Sequence, residues 1–153
     1  MHSEPALAVS LPELEQLQTV IERLGDDARV STLARVGAYP IQGIVVGSED
    51  ERVPCLLLVG GVHGLERIGT QVVLAYLATL AERLQWDELT RNALQRSRIA
   101  AIPLLNPVGM RAGTRANGNG VDLMRNGPAT GNGQASWFVG GQRLSPLVPW
   151  YMG

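Results

Sequence analysis

The sequence predicts an α/β protein with a mixed, largely parallel sheet flanked by helices, and three observations carry that prediction. A short unbroken apolar run, Cys55 to Val59, reads as a strand covered on both faces. The segment after it, roughly Glu66 to Leu84, places Ile68, Val72, Val73, Tyr76, Leu77, Leu80 and Leu84 at the spacing of a helix face. A second apolar run, Ile99 to Leu105, follows it. Strand, helix, strand in this order implies a right-handed crossover between parallel strands. The loops that follow the two strands then leave the sheet at one edge, where ligands bind in open α/β sheets.

The other elements follow in order. Residues 1–10 read as a loose terminus. From Leu11 to Leu24, Leu14, Leu17, Ile21 and Leu24 recur at helical spacing, with Ser10 as N-cap, Pro12 in the first turn and Gly25-Asp26-Asp27 as the stop. Arg29 to Val36 and Ile41 to Val46 read as two strands joined around Gly37 and Pro40. The acidic run Ser48 to Glu51 reads as a solvated turn. Asp87 caps a shorter helix that runs to about Gln95, and Pro103 weakens the last strand on one edge. From Asn106 onward Gly and Asn are dense, and nothing marks a second domain or a repeat.

Composition bounds the function. Thirteen basic and fourteen acidic residues give no electrostatic case for nucleic acid or an anionic membrane. No apolar run approaches a membrane span, and no basic leader with an apolar core opens the chain. One cysteine, Cys55, rules out an internal disulfide framework, and a cytoplasmic protein is the expectation. Cys55 and the tryptophans Trp86, Trp137 and Trp150 read as packing residues. Neither a Gly-x-Gly-x-x-Gly nor a Gly-Lys-Ser/Thr pattern supports nucleotide binding.

Two stretches carry chemistry. Gly60-Gly61-Val62-His63-Gly64-Leu65-Glu66 puts an imidazole and a carboxylate three residues apart, between the strand and the long helix. These are two of the side-chain types that hold a catalytic zinc, and the glycines let the backbone turn tightly beside a ligand. The second stretch is Asn106-Pro107-Val108-Gly109, followed by Thr114-Arg115-Ala116-Asn117-Gly118-Asn119-Gly120-Val121-Asp122-Leu123-Met124-Arg125-Asn126. By itself it reads as a glycine-rich loop with Asn-Gly turns.

Together the two stretches resemble the zinc carboxypeptidases of the M14 peptidase family. The shared pattern is His-x-x-Glu after a strand, then Asn-Pro-x-Gly, then an Arg shortly before Gly-Val-Asp-Leu-Asn-Arg-Asn, and the likeness runs from about residue 29 onward. The resemblance implies Zn2+ held by His63 and Glu66, a catalytic Arg115 that stabilises the oxyanion, and substrate binding by Arg125 and Asn117. Asp122 is expected to orient its loop rather than touch substrate. The implied substrate is a peptide or a related amide at its C-terminus.

Two departures bear on this. Met124 stands where the family has asparagine, and a thioether cannot donate a hydrogen bond to a terminal carboxylate. The chain also holds only two histidines, His2 and His63, and no glutamate after Glu88, so the family's third ligand and catalytic base have no match here. Residues 1–153 are therefore expected to be the N-terminal part of one carboxypeptidase-like catalytic domain, inactive alone and prone to self-association through a truncated sheet edge. The alternatives are an N-acyl amino acid deacylase of the succinylglutamate desuccinylase and aspartoacylase type, or a non-catalytic binding domain.

Overall fold

The computed structural model describes residues 11–124. Helix α1 (Pro12–Leu24) is followed by a single 3-10 turn, Gly25–Asp27, and strands β1 (Ala28–Val36) and β2 (Tyr39–Gly47). Then come β3 (Cys55–Val59), α2 (Arg67–Trp86), α3 (Glu88–Leu94), β4 (Arg98–Ile102) and α4 (Pro107–Ala112). The sheet order is β1-β2-β4-β3. β1 with β2 and β2 with β4 are antiparallel, and β3 with β4 is parallel. The mixed sheet flanked by helices is as the sequence predicts. Among the described residues its parallel part is the β3–β4 pair that brackets the α2–α3 crossover.

Strand alternation sorts the two faces of this sheet. Ile44, Val46, Ile99 and Ala101 turn one way and join Leu17, Val20 and Leu24 of α1 and Val73, Leu77, Leu80 and Leu84 of α2 in the main core. The rung Val45, Ala100 and Leu57 turns the other way, and Leu57 is 60% exposed. β3 was expected to be covered on both faces, but most of it is exposed, Cys55 included. The reason is position: among the described residues β3 bonds only to β4 and forms the sheet edge.

Three further expectations shift. α1 is capped by Leu11 without a side-chain bond, and Ser10 lies outside the described residues. β4 ends at Ile102 rather than Leu105, because Pro103 has no N–H to extend the ladder. The predicted face of α2 divides: Val73, Leu77, Leu80 and Leu84 are buried, whereas Ile68, Val72 and Tyr76 form an exposed stripe of one residue per turn, with Ile68 72% exposed. No described helix is long and apolar enough to cross a membrane.

Candidate functional site

Backbone pairing beyond the strands brings the two chemical stretches together. Gly60 N donates to Ile102 O, Leu105 N to Gly60 O, and Asn106 N to Gly61 O, so the loops after β3 and β4 run side by side. Asn106 then works as a clasp. Its Oδ1 caps α4 by accepting from Gly109 N at 2.9 Å, and its Nδ2 donates to Val62 O and Ala116 O. Asn at the N-cap, Pro107 at the first helical position and left-handed Gly113 at the end are ordinary helix punctuation. The glycine density had masked this short helix in the sequence.

The approach is close enough to demand glycine. A Cβ on Gly64 would lie 1.9 Å from the carbonyl carbon of Gly109, inside the backbone of α4. That contact sets His63 directly against the loop that α4 leads into. Leu65 N donates to Thr114 O at 3.0 Å, which pins Arg115 alongside Glu66.

The result is a closed ring of four side chains. His63 Nδ1 lies 3.2 Å from Glu66 Oε1, and His63 Nε2 lies 3.2 Å from Asp122 Oδ1. Arg115 completes the ring, donating from Nε to Asp122 Oδ2 at 2.8 Å and from Nη1 to Glu66 Oε1 at 3.3 Å. Asp122 is fully buried, His63 nearly so, and Glu66 is half exposed at the mouth. Asp122 also accepts from Met124 N at 3.1 Å.

This geometry separates the two imidazole nitrogens. A neutral ring donates through one nitrogen only, and the carboxylate with no access to water needs that proton more. Nε2–H therefore belongs to Asp122, which leaves the Nδ1 lone pair facing the Glu66 carboxylate. Two acceptors face each other there, an arrangement that a cation between them relieves. Bond lengths of about 2.1 Å at a tetrahedral angle set two zinc donor atoms roughly 3.4 Å apart, close to the spacing of this pair. The donor set fits two ligands of one zinc. Among the described residues no group of three or more His, Cys, Asp or Glu side chains gathers as a metal set.

Of the residues singled out in the sequence, His63, Glu66 and Arg115 meet here. Asp122 does more than order its loop, because its carboxylate holds both His63 and Arg115. A buried Asp three residues before Arg125 carried no signal of a histidine partner 59 positions away. Asn117 serves its own turn, its Oδ1 accepting from Asn119 N and Val121 N at 2.9 and 3.0 Å. Arg125 lies outside the described residues. A cleft of about 310 Å³ opens between Val36, Ile41, Leu105, Pro107, Asn117 and Leu123, and none of the four ring side chains lines it.

Comparison with known proteins bears on the family and the fold. The zinc carboxypeptidase family pattern matches residues 25–143. Carboxypeptidase SOL1 of Arabidopsis thaliana is 28% identical over 108 residues, a span that covers 66% of this chain and 22% of SOL1. The crystal structure of a presumed metallopeptidase from Shewanella amazonensis superposes with a TM-score of 0.57 at 27% identity, covering 72% of this chain and 37% of that one. A metallo-carboxypeptidase from Burkholderia cenocepacia has the same fold, with a TM-score of 0.63 at 23% identity over 75% of this chain and 32% of its own. The chain thus spans between 22% and 37% of the length of these relatives. Residues 25–143 cover most of the chain, both site loops included, and on that match the chain belongs to the zinc carboxypeptidase family, M14.

Proposed function

We propose that this chain supplies two zinc ligands, His63 and Glu66, and the oxyanion-stabilising Arg115 of a hydrolase that removes a C-terminal residue from a peptide. The observation that supports it is the ring itself. Nε2 of His63 lies 3.2 Å from the buried Asp122 carboxylate and Nδ1 lies 3.2 Å from Glu66, so a ring that donates to Asp122 offers its other nitrogen toward Glu66. Zinc held there would polarise the scissile carbonyl and activate a water for attack.

The protein's own groups do the rest. Asp122 fixes the tautomer and tilt of His63, the outer-shell service that metal-ligating histidines ordinarily need. It also holds Arg115 by Nε, and Arg115 Nη1 reaches Glu66. Among the described residues Nη2 has no partner, so it is free to meet the carbonyl oxygen as negative charge builds there. A guanidinium already held by two carboxylates needs no reorganisation when that charge develops. Arg125 and Asn117 would receive the terminal carboxylate of the substrate. The third ligand and the general base must come from residues other than these, since the sequence has two histidines and no glutamate beyond Glu88. Residues 1–153 alone would be inactive.

A second reading, deacylation of an N-acyl amino acid, rests on Met124. Its exposed thioether takes the place of a side chain that would bind a terminal carboxylate. The two readings part on one comparison in the full-length protein: hydrolysis of peptides with free and with amidated C-termini. Carboxypeptidase action requires a strong preference for the free acid, and equal rates would remove it.

A further inference from the structure

One ionic contact with a buried carboxylate lies outside the ring yet touches α2 and α4, the helices that border Glu66 and Arg115. Glu13, in the first turn of α1, is 3% exposed. Its Oε1 accepts from Arg67 Nη1 at 2.5 Å, and its Oε2 is buried with no partner among the described residues. Arg67 Nη2 donates to Met110 O of α4 at 3.3 Å. Arg67 is the first residue of α2 and follows Glu66 directly. Met110 lies in the helix whose end leads into Thr114 and Arg115, with Thr114 N bonded to Gly109 O.

The start of α2 needs such an anchor. Its N-cap is Glu66 itself, which makes no capping bond, and no acidic side chain sits in its first turn. Glu66 instead turns its carboxylate to His63 and Arg115. Nothing in α2's own sequence fixes the angle at which Glu66 leaves the helix. The guanidinium fork of Arg67 does so by binding a carboxylate on α1 and a carbonyl on α4 at once. A charge pair with one buried carboxylate adds little net stability, because desolvating that carboxylate offsets much of the attraction.

We propose that Glu13 and Arg67 are positioning residues that set Glu66 and Arg115 relative to His63, and so tune the site for its metal. This rests on the zinc reading above. The test uses the full chain and Zn2+ alone, followed by the imidazole 15N resonances of His63, which are easily assigned because His2 is the only other histidine. Glu13→Gln should weaken zinc binding about tenfold, the scale of an outer-shell loss. Arg67→Lys, which keeps the charge but loses the fork, should weaken it in the same direction. Val20→Ala, a core truncation elsewhere on α1, should lower the melting temperature and leave zinc affinity unchanged. Exchange of the Arg115 Nε proton, donated to Asp122, gives a zinc-free readout that should quicken about tenfold in Glu13→Gln and not in Val20→Ala. Unchanged affinity and exchange in Glu13→Gln, or equal changes in Val20→Ala, would overturn the proposal. If Zn2+ leaves His63 of the unmutated chain unmoved, the two ligands do not hold the metal without a third, and Arg115 exchange alone decides the role of Glu13.

Discussion

At the scale of single residues, the ring depends on Asp122 and on Gly64. Asp122→Asn keeps the shape but offers an amide that can donate to Nε2, so the ring is free to take the other tautomer and turn an N–H toward the metal. Zinc affinity measured by titration should fall about 10- to 100-fold. Gly64→Ala forces a methyl into the α4 backbone. The chain should lose about 3 kcal/mol or more in denaturant unfolding, since backbone cannot repack around it as a side chain can. The sequence showed His63, Glu66 and Arg115 because motif residues keep fixed local spacing. It hid the roles of Asp122, Glu13 and Arg67, because a contact across some 50 residues leaves no local pattern.

At the scale of elements, the helix stops and starts were written in local chemistry. Gly25, with φ 49°, ends α1 as expected, and Asp87 begins α3. Asp87 accepts from Leu89 N, Thr90 N and the Thr90 hydroxyl, and pairs with Arg83. The Thr90 hydroxyl first, and then Arg83, hold its carboxyl well below the ordinary range. A folded pKa below the unfolded value of about 3.9 gives stability that is complete above that pH and lost as pH falls through the folded pKa. Asp87→Ala should therefore lower the melting temperature by about 2–4 °C near neutrality, with the gap to the parent closing below about pH 4. A gap independent of pH would show that the cap acts without its charge. The division of α2 was less legible. An apolar residue on either side of a helix looks the same in sequence, and among the described residues Ile68, Val72 and Tyr76 are left exposed on a helix that packs near the edge strand β3.

At the scale of the whole molecule, among the described residues β3 presents an unpaired edge with Leu56, Leu57 and Val59 exposed and neither a charge nor a proline between Cys55 and Val59 to protect it. A preparation of residues 1–153 alone should self-associate, with sedimentation showing mass that grows with concentration. Leu57→Lys should return it toward monomer, and a clean monomer of the parent chain would remove the idea. The mixed α/β class followed from the order of apolar runs, whereas the exposure of β3 did not, since an apolar run reports that a strand is to be covered and not by what. The span between His63 and its buried partner also has a meaning in time. Asp122 lies 59 residues downstream, which is about 3–12 s of ribosomal synthesis at 5–20 residues per second. Throughout that interval the nascent chain carries His63 and Glu66 without the carboxylate that holds the imidazole, so the proposed ligand pair is ordered only once Asp122 has been made.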